Sequence, residues 1–278
     1  MFLPLRDDNP TRRTAYATWA LIALNVVSFL RVLLLPDLEQ QVLYFERGFI
    51  PARLSQLDEG EPVPVSLQLQ ALDRRSGRVV DFQKEILLPP DPRQIALSFL
   101  TCMFLHGGWM HLIGNMWFLW IFGNNVEDRL GHVPFLLFYL GGGLLASLCH
   151  WAIHPVSELP VVGASGAVAA VLGAYAITWP WARVHTLVFI VIFFTIVDVP
   201  ALLVLGFWFV AQLLDAVGAL GLNVDGGVAW WAHIGGFAAG ALLMPVLRRW
   251  IAPPESGEPV DIVEVFREHH PGYGRWPR

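Results

Sequence analysis

Charge is scarce in this sequence. Asp, Glu, Lys and Arg make up 15% of 278 residues, against about 25% in a soluble domain. The mean hydropathy is +0.53, so the chain is not a water-soluble globule. Its 18 Lys and Arg stand singly or in pairs and the net charge is −5; without a basic patch or stripe there is no footprint for a phosphate backbone, which excludes nucleic acid as a partner. Cysteine is nearly absent as well. Cys102 and Cys149 both lie in apolar stretches, so neither a disulfide framework nor a zinc site is expected, and no metal or cofactor is called for.

What the chain does have is long apolar runs. A spanning helix needs about 20 apolar residues, and windows of that kind occur at Ala15 to Leu35, Leu97 to Phe122, Val133 to Trp151, Gly163 to Trp179, Pro200 to Leu220 and Val228 to Leu247. The expectation is an all-α membrane protein of six spans. The first run follows Arg6, Arg12 and Arg13 and has no small-residue cleavage site behind it, so it reads as a retained helix rather than a signal peptide. The stretch Val184 to Val197 is too short to span and ends at Asp198 and Pro200; it reads as interfacial or re-entrant.

Arginines mark one side of the membrane. They sit in the N-terminal tail, at Arg129 after span two, at Arg183 after span four, and at Arg248 and Arg249 after span six, while the loops His150 to Val162 and Gly221 to Gly227 have none. Both termini are therefore expected in the cytoplasm. The domain reading is a cytoplasmic tail over 1–14, a membrane domain over 15–250 containing an extracytoplasmic loop over 36–96, and a disordered cytoplasmic tail over 251–278, rich in Pro, Gly and charge. Within the loop, Val63, Val65, Leu67, Leu69 and Ala71 alternate with polar residues, followed by the polar run Asp73 to Gly77 and a weaker alternation through Val80, Phe82 and Ile86. A small β-hairpin and an irregular insertion both fit; no other strand signal is expected in the chain.

Polar groups inside a span cost roughly 2.5 to 3.5 kcal/mol each on insertion scales, so each asks for a reason. Span two carries His106, His111 and Asn115; span four opens with Gly163-Ala164-Ser165-Gly166; span five carries Gln212 and Asp215; span six opens with His233. Spans two, four and six all start on the extracytoplasmic side, so His111, Ser165 and His233 lie at similar depth. Small residues suggest which helices touch: Ser165, Ala169, Gly173 and Ala176 form one stripe, and His233, Gly236 and Gly240 another. Docking these stripes brings a hydroxyl to an imidazole. A serine hydroxyl becomes a nucleophile when a neighbouring base takes its proton, and His233 is placed to be that base. Asp215 and Asp225 lie nearby in sequence, but nothing in the sequence aims either at His233, so a dyad is expected. His111 and Asn115, one turn apart, and the backbone N–H of Ser165 are candidate oxyanion donors, with Gly163 and Gly166 leaving room for substrate backbone.

Blander readings exist for each feature. Gly, Ala and Ser are ordinary packing residues in membrane helices, and a lone histidine is commonly a contact between helices. His106, His132, His150, His154 and His185 are assigned such structural or interfacial roles, and Trp109, Trp179, Trp181, Trp230 and Trp231 read as interfacial anchors. The coincidence of the other residues on three helices at one depth favours chemistry.

From Ala15 to Arg249 the chain resembles the rhomboid intramembrane serine proteases. His111-Leu112-Ile113-Gly114-Asn115 is similar to that family's HxxxN motif, Gly163 to Gly166 to its GxSG, and Ala232-His233 with Gly236 and Gly240 to its AHxxGxxxG. Val126 to Gly131 resembles its turn after span two, where Glu127 and Arg129 would have structural hydrogen bonds. The resemblance implies a six-helix rhomboid-like bundle with a Ser165–His233 dyad that cleaves transmembrane protein substrates near the outer face, with membrane lipids as its other partners. Such a protein would sit in the plasma or inner membrane of a prokaryote, or in an organelle. Two departures stand out: Ala169 replaces an aromatic residue on which the histidine ring packs in some members, and the loop before span two reads Leu97-Ser98 where some members carry Trp-Arg and holds a long insertion from about Ser55 to Pro90 unlike a minimal member. The rival readings are a catalytically inactive rhomboid-like protein that binds transmembrane clients, and a transporter or proton relay using His111 and His233. The first needs no Ser-His pair, and the second calls for intramembrane carboxylates, of which Asp215 is the one candidate.

Overall fold

The computed structural model describes residues 2–73, 78–190, 193–222 and 228–251. Its framework is helical: α1 (Tyr16–Leu33), α2 (Asp37–Arg47), α3 (Pro51–Ser55), α4 (Pro92–Thr101), α5 (Trp109–Leu130), α6 (His132–Ile153), α7 (Ser165–Thr178), α8 (Ala201–Leu222) and α9 (Trp230–Trp250). Five strands accompany them, β1 (Phe2–Asp7), β2 (Val63–Asp73), β3 (Arg78–Leu88), β4 (Arg183–Ile190) and β5 (Phe193–Pro200). Stretches of α1, α6, α8 and α9 are each long and apolar enough to cross a membrane. Outward-facing Val27, Leu30, Leu137, Leu203, Phe207, Leu214 and Leu242 are exposed, as a lipid-facing surface requires. The chain is an integral membrane protein.

Helix α7 is the centre of the bundle. Every residue from Gly166 to Ala176 is buried, and α7 packs most extensively on α9, then on α6 and α5. Small side chains make this possible. A Cβ on Gly173 would fall 2.0 Å from the Phe237 carbonyl oxygen, one on Gly236 2.1 Å from that of Gly166, and one on Gly240 1.8 Å from that of Ala170. The close approach therefore uses Gly166, Ala169, Ala170 and Gly173 on α7, which shares Ala169 and Gly173 with the expected Ser165-Ala169-Gly173-Ala176 stripe and adds Gly166 and Ala170.

Several expectations are corrected. The second apolar window is not one helix: α4 and a 3-10 turn over Cys102–Phe104 precede α5, and the two arms meet at 81°. Asp91 caps α4 by accepting from the Arg93 N–H, and the chain leaves helical geometry through Leu105 to Gly108, where Gly107-Gly108 offers little helix propensity. Helix α7 has only 14 residues, too few to span a bilayer unaided. The stretch Val184 to Val197 falls in the antiparallel pair β4–β5, and β1 adds to β4 from Phe2 opposite Val188 to Asp7 opposite Val184. A three-stranded sheet that the all-α expectation did not include thus accompanies the helices, and residues 2–7 of the expected 1–14 tail form its edge strand. Strand β1 is held along α5 and α7: Trp117 Nε1 donates to the Pro4 carbonyl at 2.7 Å, Tyr175 Oη donates to Asp7 Oδ2 at 2.5 Å, and Asn125 Nδ2 donates to the Asn9 carbonyl at 2.7 Å. The β-branched and aromatic content of 184–197 was the available strand signal.

In the long loop, β2 and β3 pair antiparallel from Val63 opposite Leu88 to Asp73 opposite Arg78. Val63, Val65 and Leu88 bury one face with Ile50 and Ala52. The expected turn residues Arg74 to Gly77, the loop Asp225 and the expected tail beyond Ile251 lie outside the described residues.

Two polar devices tie the helix ends together on the side opposite the candidate site. Glu127, fully buried, accepts from the backbone N–H groups of Ala17 and Thr18 at 2.8 and 2.7 Å and from Thr18 Oγ1 at 2.6 Å, which satisfies the first turn of α1. Arg129 donates to the carbonyls of Arg248 and Ile251 at 2.8 and 3.0 Å, closing the end of α9.

Candidate active site

Ser165 is the first residue of α7, and no side chain caps that helix. Its hydroxyl lies 2.8 Å from Nε2 of His233 in the first turn of α9. The pairing follows from the α7–α9 contact: Gly236, one turn beyond His233, rests on the Gly166 backbone beside Ser165. Both residues line a cavity of about 630 Å³ that is walled also by His111, Asn115 and Phe118 of α5, Trp208 and Gln212 of α8, and Trp230 of α9.

Gly163 precedes the serine with φ +124°, and a Cβ there would lie 2.5 Å from His111 Nε2. A side chain is thus barred by backbone geometry and by the imidazole. Asn115 is buried, and its Nδ2 has no hydrogen-bond partner. A buried amide donor without an acceptor is costly, so this group has capacity to spare for a ligand oxygen.

Gly166 packs against α6. Its missing Cβ would sit 2.6 Å from the Ala146 Cβ and 3.7 Å from the Ala232 carbonyl oxygen, and Gly166 does not line the cavity. Its smallness serves helix packing. Gly163 is likewise absent from the lining and makes room for His111.

Sequence reasoning gave no role at the imidazole to three residues that the fold brings to it. His233 Nδ1 lies 2.5 Å from Gln212 Oε1. The Trp208 ring sits 6.1 Å from the imidazole at 34°, and Trp230 meets it edge-on at 5.9 Å and 88°. Trp230 is more than an interfacial anchor. Gln212 appears in the sequence as a polar residue in an apolar run, the one available signal; Trp208 has none beyond its four-residue spacing from Gln212. Asp215 is exposed and makes no ion pair among the described residues. His106 is fully buried against His111, ring centroids 5.1 Å apart, with neither ring nitrogen hydrogen-bonded.

The family model of the Rhomboid domain matches residues 93–250, more than half of the chain. Similar curated proteins include Rhomboid-like protein 11, chloroplastic, of Arabidopsis thaliana, 32% identical over 55% of this chain and 53% of the relative. Rhomboid protein 1, mitochondrial, of Saccharomyces cerevisiae is 30% identical over 58% of this chain and 44% of its own length. Rhomboid protease GluP of Bacillus subtilis is 34% identical over 52% of this chain and 25% of its own. The chain thus spans from a quarter to about half the length of these relatives.

Proposed function

The chain belongs to the rhomboid family, and from that premise we propose that it is an intramembrane serine endopeptidase that cleaves transmembrane proteins near the extracytoplasmic face. The observation that supports this most directly is the 2.8 Å approach of Ser165 Oγ to His233 Nε2 inside a cavity holding an unpartnered Asn115 donor. In this reading α1 and α5 to α9 are the six membrane-embedded helices of a domain over 15–250. Both termini are cytoplasmic, and the 36–96 loop lies outside. The bounding membrane is that of a bacterium or an organelle.

His233 takes the Ser165 proton at Nε2 as Oγ attacks the scissile carbonyl, and the resulting oxyanion is met by the Ser165 N–H, His111 and Asn115. Collapse breaks the C–N bond, the proton on Nε2 passes to the leaving amine, and a water activated by the same imidazole hydrolyses the acyl-enzyme. Neither metal nor cofactor has a step in this scheme. A hydrogen-bonded substrate helix shields its carbonyls, so cleavable segments are those weakened by Gly or Pro near their outer ends.

The test is labelling of the purified protein in detergent by a serine-directed fluorophosphonate, together with cleavage of a transmembrane reporter. Label on Ser165, lost in both Ser165→Ala and His233→Ala along with cleavage, is the expected result. A folded wild type that neither labels nor cleaves would favour a non-catalytic protein that binds transmembrane clients, and turnover persisting in Ser165→Ala would remove the nucleophile assignment.

A further inference from the structure

We propose that Gln212 is a positioning residue for His233, giving a Ser165–His233–Gln212 line in which a neutral amide occupies the place that a carboxylate holds in Ser-His-Asp sites; the inference rests on the serine-protease reading above. Both ring nitrogens of His233 are engaged, Nε2 with Ser165 Oγ at 2.8 Å and Nδ1 with Gln212 Oε1 at 2.5 Å. With the ring proton on Nδ1 donated to the amide oxygen, Nε2 presents its lone pair to the serine hydroxyl. The opposite tautomer would aim an N–H at Ser165 and leave it without a base.

Helix α8 supplies two constraints from one face. Gln212 is buried at 9% exposure and holds the ring within its plane. Trp208, one turn earlier, packs at 6.1 Å against the ring, and Trp230 closes the edge. These aromatic contacts come from α8 and α9, while Ala169 of α7 has no aromatic group to offer. His111 of α5 and His150 of α6 act electrostatically on the imidazole, and neither is an anion. No carboxylate competes for Nδ1 among the described residues.

An amide suits this location. A buried carboxylate in a membrane helix carries the insertion cost of a charge, whereas an amide oxygen accepts the same N–H without one. During acylation the Ser165 proton moves to Nε2 and later to the leaving amine, while the Nδ1 proton stays on the ring and the amide takes none. Gln212 bonds Nδ1 and none of the reacting atoms, so its effect is on turnover more than on binding.

The experiment compares wild type, Gln212→Met and Gln212→Glu as purified full chains, reading thermal midpoint, reporter kcat and KM, and the fluorophosphonate acylation rate. Met keeps the length and removes the acceptor; its kcat and acylation rate should fall about 10 to 10²-fold with KM within about twofold, less than the roughly 10⁴ lost when a triad carboxylate is replaced by an amide donor. Glu restores an acceptor and should recover most of the rate, with the acidic limb of the pH–rate curve displaced to higher pH as an anion now faces the imidazolium. Wild-type rates in Gln212→Met, or equal losses in both variants with a lowered thermal midpoint, would overturn the inference. A wild type that fails to label removes the protease reading itself; an active wild type with an unaffected Met variant removes only Gln212's role.

Discussion

Gly240→Ala probes whether the close contact of α7 and α9 is what brings the hydroxyl to the imidazole. A Cβ on Gly240 would lie 1.8 Å from the Ala170 carbonyl oxygen and 2.6 Å from its carbon, where ordinary contact begins at 3.4 Å. The obstacle is helical backbone, which cannot rotate aside, so the helices must part by roughly 1.5 Å at that level or distort. His233 lies seven residues away, about 10 Å along the axis. Full transmission would stretch the 2.8 Å contact with Ser165 to about 4 Å, and half of it to about 3.5 Å, both outside a working hydrogen bond. A displacement near 1 Å costs on the order of 10²-fold in rate, and overpacking costs about 1–3 kcal/mol of stability. The assay pairs reporter cleavage and fluorophosphonate labelling with thermal unfolding in detergent. Gly206→Ala on α8 is the control, since a Cβ there meets nothing within 4 Å; it should leave rate and midpoint near wild type. Wild-type cleavage and an unchanged midpoint in Gly240→Ala would refute the reasoning.

Asn115→Ala should lower kcat about 10 to 10³-fold if its free amide stabilises an oxyanion, with an unchanged rate removing it from that role. Glu127→Gln should cost about 1.5–3 kcal/mol per charged hydrogen bond lost at the start of α1; thermal or denaturant unfolding checks this, and no loss would show that the cap is dispensable. His185 lies 2.7 Å from Asp8 and 2.6 Å from Asp198 at the base of the three-stranded sheet, and the hydrogen bond to Asp8 with the two nearby carboxylates holds it above the ordinary imidazole value. Its stabilising contribution should be full below about pH 6.5 and disappear as pH rises through the raised value. The thermal midpoint difference between wild type and His185→Gln should therefore shrink from pH 6 to pH 9, and a pH-independent difference would count against the clasp.

Much of the site was legible because its polar residues stand out against apolar helices. Ser165, His233, His111 and Asn115 lie where a membrane segment makes polarity expensive, and the glycines of α9 announce a close neighbour. Hydropathy was a weaker guide to secondary structure. It reads 97–122 as one run although the chain bends at Leu105 to Gly108, and it treats 184–197 as an apolar segment although β-branched and aromatic residues make it part of a hairpin. Strand β1 is too short and too mixed to declare itself; it is a strand because β4 offers it an edge and Trp117 and Tyr175 hold it there.

By itself the sequence determined the membrane environment, the candidate nucleophile and base, and the helices that must approach, because hydropathy, rare polar groups and small-residue spacing are local properties of each segment. Only the tertiary structure decided that Gly166 packs against Ala146, that Gly163 yields to His111, and that Gln212, Trp208 and Trp230 surround His233. Those outcomes depend on the rotation and depth of one helix against another. The packing of whole side-chain surfaces sets both, and no periodicity within a single helix encodes them.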